Sequence, residues 1–209
     1  MTAPCTGVIL AGGQASRYGG RPKGLERVHG SRVIDRVASV LRAETDSLLL
    51  IANDPSAAEW LPGVRVESDV RPGIGSLGGI HAALVHAGTA VIVVAWDMPF
   101  VTTALLQHLR ALGETGVSAV IPTPGVPSSA QPLCAYYAPE ALAVCERLLA
   151  AGERRAGALH DTLPAVRRLG AAELAPFGDP TRLLLSVDTL ADLARLGGRL
   201  PDGEDTARR

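Results

Sequence analysis

Short apolar runs alternate with amphipathic segments along most of this 209-residue chain, and that alternation limits its fold more than any other feature. The apolar runs are too short for surface helices, which predicts buried strands at residues 7–10, 48–52, 90–95 and 117–121. Apolar side chains recur at the spacing of one helix face in residues 33–41, 80–87 and 105–112. Such alternation predicts right-handed crossovers and a mainly parallel sheet with helices on both faces.

The predicted fold is therefore α/β: a single-domain, Rossmann-like three-layer sandwich over residues 1–200, followed by a polar tail at 201–209 that we expect to be disordered. Only 3% of the chain is aromatic against 47% hydrophobic, so aliphatic side chains must build the interior. A further strand is expected at 133–137 and a helix at 141–151. In such sheets ligands bind outside the carboxyl ends of the strands, so functional residues are expected directly after each strand.

Charge and cysteine content narrow the classes of partner. The formal net charge is -1, and both signs are spread along the chain, so no basic face indicates nucleic acid or a membrane surface. Cys5, Cys134 and Cys145 are odd in number and form no CxxC pair, which argues against a disulfide framework or a zinc site. No apolar run approaches the roughly 20 residues that span a bilayer. We expect a soluble, cytoplasmic protein that acts on small molecules.

A glycine-rich segment follows the first predicted strand and reads LAGGQASRYGGRPK over residues 10–23. Glycines let backbone N–H groups face a phosphate, while Arg17 offers a planar fork of donors and Lys23 a mobile point charge. The segment matches neither the dinucleotide fingerprint GxGxxG nor the P-loop GxxxxGK[ST]. It predicts a site for a nucleoside triphosphate, and the alternative is a glycine-rich turn with surface charges.

The same segment resembles the signature loop of the molybdenum cofactor guanylyltransferases, in the wider nucleotidyltransferase superfamily. The matching positions are Leu10-Ala11-Gly12-Gly13, Ser16-Arg17, Gly19 and Pro22-Lys23-Gly24-Leu25, with Tyr18 where the family usually has Met. The resemblance implies that Leu10, Ala11, Gly12, Gly13 and Lys23 bind the nucleotide and that Arg17 and Lys23 are catalytic. Relatives that use CTP favour Ala in place of Gly12, so Gly12 argues for GTP.

Asp97 directly follows the predicted strand at 90–95, where a carboxylate is well placed to bind Mg²⁺. The alternative is that Asp97 caps the next helix, but Thr102 or Thr103 can serve as that cap. The resemblance extends to this segment, since the family usually has Cys-Asp-x-Pro and only Trp96 departs from it. It implies that Asp97 binds both the metal and the nucleotide.

Asn53 follows the predicted strand at 48–52, and both Asn53 and Asp69 are expected in loops. The resemblance implies that both contact the nucleoside. An amide can read the edge of a base, although each residue considered alone is more typical of a turn. Arg154 and Arg155 fit either a contact with the acceptor's phosphate or a solvated helix face. Near the C-terminus the family usually has Asn-x-Asn-Thr-Pro-Glu, whereas residues 186–191 read SVDTLA, in which Asp188 could still supply an oxygen ligand.

The reaction implied by the resemblance transfers GMP from GTP to molybdopterin, or to its molybdenum-loaded form, with Mg²⁺ as cofactor and release of pyrophosphate. The acceptor's phosphate has a second pKa near ~6, so it is ionised at neutral pH and needs no general base. Two alternatives stay open. One is a CTP-dependent cytidylyltransferase, which the pair Asp188-Thr189 favours mildly. The other is a regulatory domain that binds a nucleotide without catalysis. The resemblance is also consistent with a protein partner that delivers the cofactor or with a molybdoenzyme that receives it.

Overall fold

The computed structural model describes residues 3–12, 23–28, 30–125 and 129–187. The strands are β1 (Cys5–Ala11), β2 (Arg27–Val28), β3 (Ser31–Arg32), β4 (Ser47–Ala52), β5 (Arg65–Glu67), β6 (Ala90–Ala95), β7 (Ala119–Pro122), β8 (Cys134–Tyr137) and β9 (Val166–Leu169). The α-helices are α1 (Val33–Glu44), α2 (Ser76–Ala87), α3 (Thr103–Gly113), α4 (Ala141–Ala150), α5 (Ala156–Thr162), α6 (Ala171–Leu174) and α7 (Pro180–Leu183). Short 3-10 turns cover Lys23–Leu25, Pro55–Glu59 and Ala175–Phe177.

Seven strands form one sheet in the order β5-β4-β1-β6-β8-β7-β9. The half from β5 to β6 is wholly parallel, with β1 between β4 and β6. Strand β8 runs antiparallel to both β6 and β7, and β9 at the edge is again parallel to β7. The carboxyl ends of β1, β4 and β6 therefore lie side by side, and the loops that follow them meet at one edge of the sheet.

Helices cover both faces of the sheet, as alternate side chains of β1 illustrate. Val8 and Leu10 belong to a core cluster with residues of α2, α4 and α5. Ile9 and Ala11 point to the opposite face and join a cluster with residues of α1 and α3. Because each face of the central strand is buried under helices, the strand must be apolar throughout, which is why its sequence shows a continuous apolar run.

The predicted α/β three-layer class is confirmed, with local differences. The strand expected at 117–121 is observed at Ala119–Pro122, because a turn at residues 114–116 and a bend at Ser118 precede it. Edge strands β5 and β9 were not predicted, since Arg65 of β5 and both arginines of β9 face solvent. Residues 188–209, which include Asp188 and the expected polar tail, lie outside the described residues. The three cysteines are buried free thiols.

Candidate active site

A cavity of about 550 Å³ opens at the carboxyl ends of β1, β4 and β6. Five residues singled out from the sequence line it, namely Leu10, Gly12, Asn53, Asp69 and Asp97. Gly12 and Asn53 directly follow β1 and β4, and Asp69 and Asp97 come two residues after β5 and β6, so the parallel half of the sheet brings them together. This cavity is where the fold class predicts a ligand.

The end of β1 supplies the first wall of the cavity. The carbonyl oxygen of Leu10 accepts a hydrogen bond from the N–H of Trp96, which ties the ends of β1 and β6 together. Gly12 is exposed, and a Cβ added there would meet no atom within 4 Å. Ala11 instead points into the core and does not line the cavity. Gly13 and Arg17 lie outside the described residues, as does the side chain of Lys23.

Asn53 and Asp69 both line the cavity and are joined by two hydrogen bonds. The Nδ2 of Asn53 donates to Oδ2 of Asp69 over 2.8 Å, and the backbone N–H of Asp69 donates to Oδ1 of Asn53 over 2.9 Å. This reciprocal pair joins the loop after β4 to the loop after β5. One amide hydrogen of Asn53 and one carboxylate oxygen of Asp69 take no part in it, and these polar atoms can serve a ligand.

Asp97 lies in the turn after β6 and is partly buried at the cavity wall. Its carbonyl oxygen accepts a hydrogen bond of 2.8 Å from the N–H of Val187, so the C-terminal segment is fixed to this turn. Helix α3 is capped by Thr102, whose hydroxyl accepts from the N–H of Leu105. A capping role therefore does not explain Asp97. Ser186, next to Val187, also lines the cavity.

The N-terminus of α2 forms a further wall to which sequence reasoning assigned no role. Gly73 and Gly75 have φ of 78° and 80°, a left-handed conformation that glycine adopts without strain, and both line the cavity together with Ser76. The sequence signal was present, because closely spaced glycines precede a helical pattern. The N–H of Leu77 donates to the carbonyl oxygen of Arg154, which fixes the loop before α5 against this helix end.

Arg154 and Arg155 differ in their surroundings. The carboxylate of Glu153 accepts hydrogen bonds from the backbone N–H groups of both arginines and from the guanidinium of Arg155. The side chain of Arg155, followed by these backbone donors, lowers the pKa of Glu153 to about 2. Among the described residues, the exposed guanidinium of Arg154 has no ion-pair partner, so it is the better placed of the two to bind an anion.

A buried polar chain supports the loop beside Leu133, another cavity-lining residue. The hydroxyl of Tyr137 donates to the carbonyl oxygen of Pro132 over 2.9 Å and lies 2.8 Å from Nε2 of His160. Since the hydroxyl has only one hydrogen, Nε2 of His160 must be the donor to Tyr137. Burial, together with the nearby charge of Arg168, lowers the pKa of His160 to about 4, so the imidazole is neutral at pH 7.

The described residues contain no group of three or more His, Cys, Asp or Glu side chains that could hold a metal ion. A metal bound to Asp97 would need further ligands beyond these groups, and Mg²⁺ commonly takes some of its ligands from substrate phosphates.

None of the helices in the described part of the chain has the length and apolar character of a membrane span.

Comparison with known proteins identifies the family. The model of the MobA-like NTP transferase domain matches residues 7–166. This chain belongs to the MobA-like NTP transferase family. The resemblance found in the sequence is thus confirmed, and the chain is a nucleotidyltransferase.

Individual relatives agree with the family match over nearly the whole chain. A protein of Chloroflexus aggregans, named as a "Probable molybdenum cofactor guanylyltransferase", is 36% identical over 200 residues, which are 90% of this chain and 91% of the relative. The crystal structure of molybdopterin-guanine dinucleotide biosynthesis protein A from Archaeoglobus fulgidus has a TM-score of 0.75 and 29% identity, covering 91% of this chain and 95% of that one.

A third structure shares the fold of this MobA-like transferase at lower identity. Rv0371c of Mycobacterium tuberculosis, solved in complex with manganese, has a TM-score of 0.60 and 22% identity, with 94% of this chain and 98% of that one covered. At this identity the comparison shows that the two proteins share a fold.

Proposed function

We propose that this chain transfers GMP from GTP to the terminal phosphate of molybdopterin or Mo-molybdopterin and releases pyrophosphate. The observation that carries the proposal is the convergence of Gly12, Asn53, Asp69 and Asp97 on one cavity, because all four belong to segments that match the guanylyltransferase pattern. Relatives of the same length bear that name. The proposal takes residues 1–200 as one catalytic domain and a cytoplasmic location for the reaction.

The nucleoside is assigned to the wall formed by Asn53 and Asp69. Their reciprocal hydrogen bonds hold both side chains in one orientation before any ligand arrives. The remaining amide hydrogen of Asn53 and carboxylate oxygen of Asp69 can then bind the sugar or the base without a large cost in side-chain entropy. Gly12 leaves open space at the end of β1, where a methyl group would otherwise project.

The triphosphate is assigned to the glycine-rich segment, with Arg17 and Lys23 as the cations that neutralise it. Asp97 is the proposed Mg²⁺ ligand, and the hydroxyl of Ser186 is a second oxygen donor on the same cavity. This donor set fits Mg²⁺, which prefers oxygen and accepts one or two carboxylates plus substrate phosphates. When bound, the ion would neutralise charge that develops on the phosphates.

Catalysis then depends on positioning rather than on a general base. The acceptor's phosphate is ionised at neutral pH and attacks the α-phosphorus of GTP in line with the departing pyrophosphate. Consistently, no histidine is found among the described residues that line the cavity. Arg154, which is exposed beside the N-terminus of α2, is the candidate for holding the acceptor's phosphate.

The decisive experiment measures pyrophosphate release from GTP with Mg²⁺, in the presence and absence of molybdopterin, with CTP in parallel. We expect release that depends on the acceptor and prefers GTP. Equal or faster release from CTP would contradict the base assignment. Nucleotide binding without release would instead support a regulatory role, and binding can be measured separately because a ligand at about 100 times its Kd raises the free energy of unfolding by roughly 2.7 kcal/mol.

A further inference from the structure

The indole of Trp96 contacts two other parts of the chain. It stacks on the ring of Trp60, with 5.2 Å between centroids and 23° between planes. Trp60 is itself held, since its Nε1 donates to Ser56 and its carbonyl oxygen accepts from Arg32. Trp96 is 7% exposed and does not line the cavity, so it can affect a ligand only through another residue.

The indole of Trp96 also lies against Gly24, the residue after Lys23. A Cβ built on Gly24 would lie 2.5 Å from Cε3 of Trp96 and 2.8 Å from its Cδ2, closer than real Cβ contacts allow. The stack on Trp60 limits how far the ring can shift. The backbone of the 3-10 turn Lys23–Leu25 therefore lies directly against the indole, which belongs to the same turn as Asp97.

We propose that Trp96 is a positioning residue for the reaction: the stack of Trp60, Trp96 and Gly24 sets the backbone of Lys23 relative to Asp97. The inference rests on the proposed function, in which Lys23 and Asp97 act on the same triphosphate. Cysteine, the residue that the family pattern usually has at position 96, has no ring to stack on Trp60, so this contact depends on the tryptophan of this chain. Glycine at position 24 is the matching half of the arrangement, because a side chain there would meet the indole.

The test compares Gly24→Ala, Trp96→Cys, Trp96→Phe and the double variant Gly24→Ala/Trp96→Cys in pyrophosphate release from GTP, with kcat and KM measured separately and rates corrected for the folded fraction. Misplacement by about 1 Å can cost on the order of 10²-fold, so we expect Gly24→Ala and Trp96→Cys each to lower kcat/KM by about that factor. Trp96→Phe should have a higher kcat/KM than Trp96→Cys, because it keeps an aromatic ring at this position. The double variant should have a higher kcat/KM than Gly24→Ala alone, because without the indole the added methyl group no longer clashes.

Two matched controls separate positioning from stability. Gly157→Ala adds the same methyl group where nothing lies within 4 Å, and Leu84→Ala removes a buried side chain at the far end of α2. Both should keep wild-type kcat/KM per folded molecule. Wild-type kcat/KM in Gly24→Ala, or in Trp96→Cys with only a lower melting temperature, would overturn the positioning role. Absence of pyrophosphate release from the wild-type chain would instead contradict the proposed function itself.

Discussion

The buried imidazole of His160 makes the stability of the fold depend on pH in a range where few other groups titrate. His160 is 4% exposed, and burial is the first cause that lowers its pKa from 6.5 to about 4, with the charge of Arg168 adding to it and that of Asp161 opposing it. In the unfolded chain the imidazole regains its ordinary pKa. As the pH falls below about 6.5, the unfolded chain binds a proton that the folded chain does not, so the folded state is progressively disfavoured.

The size of the effect follows from the shift. One pKa unit corresponds to about 1.4 kcal/mol, so the full difference between the two states is roughly 3 kcal/mol and is reached near pH 4. Between pH 7.5 and pH 5 the free energy of unfolding should fall by about 2 kcal/mol from this group alone. Stopping at pH 5 avoids the carboxylates with lowered pKa, such as Glu153, whose contribution is lost only at lower pH.

Urea unfolding followed by circular dichroism at several pH values measures this loss, which corresponds to a midpoint shift of about 1 M. The matched variant is His160→Gln, because its amide can still donate to Tyr137 but does not titrate. His81, whose pKa is also lowered by burial, is present in both proteins and cancels in the comparison. If wild type and His160→Gln lose stability in parallel between pH 7.5 and pH 5, the account of the buried histidine is wrong.

Further variants test the site and its support. Asp97→Asn should lower turnover by about 10²-fold or more with the circular dichroism spectrum unchanged, because it removes a metal ligand at nearly constant volume; wild-type rates with Mg²⁺ would refute the metal role. Gly12→Ala should change the free energy of unfolding by no more than about 0.5 kcal/mol, since its Cβ meets open space, while the ratio of kcat/KM for GTP to that for CTP should fall. An unchanged ratio would remove Gly12 from base selection. Tyr137→Phe should cost about 1–3 kcal/mol in urea unfolding at pH 7.5, because Pro132 and His160 each lose a buried hydrogen bond; a loss below about 0.5 kcal/mol would contradict that chain of contacts.

The central part of the fold was predictable because its strands are buried on both faces. β1, β4 and β6 each appear in the sequence as an unbroken apolar run, and the rule that ligands lie at the carboxyl ends of such strands led directly to Asp97. The edge strands were not predictable in this way. β9 shows Arg167 and Arg168 to solvent, so its pairing with β7 depends on the tertiary neighbours rather than on its own pattern.

Contacts made by backbone atoms could also not be predicted from the sequence. No residue type signals that Arg154 supplies its carbonyl oxygen to the N-terminus of α2, or that the N–H of Asp69 uses the amide of Asn53. The position of Trp96 between Trp60 and Gly24 could also not be inferred, because residues 24, 60 and 96 are distant along the chain. The sequence predicted which residues carry the chemistry, whereas the structure shows the contacts that hold the described ones in place.

The altered C-terminal segment is joined to the turn of Asp97 through its backbone. Where the family usually has Asn-x-Asn, this chain has Ser186, Val187 and Asp188, and the described contact from this segment to Asp97 joins two backbone atoms, the N–H of Val187 and the carbonyl oxygen of Asp97. Any residue other than proline can make that contact, so the substitutions leave the turn of the proposed metal ligand anchored. What they change is the side chains offered to the cavity, beginning with the hydroxyl of Ser186. Since that hydroxyl is also the proposed second oxygen donor for Mg²⁺, the departure should affect the metal-dependent step measured as kcat as well as recognition of the acceptor or the base measured as KM.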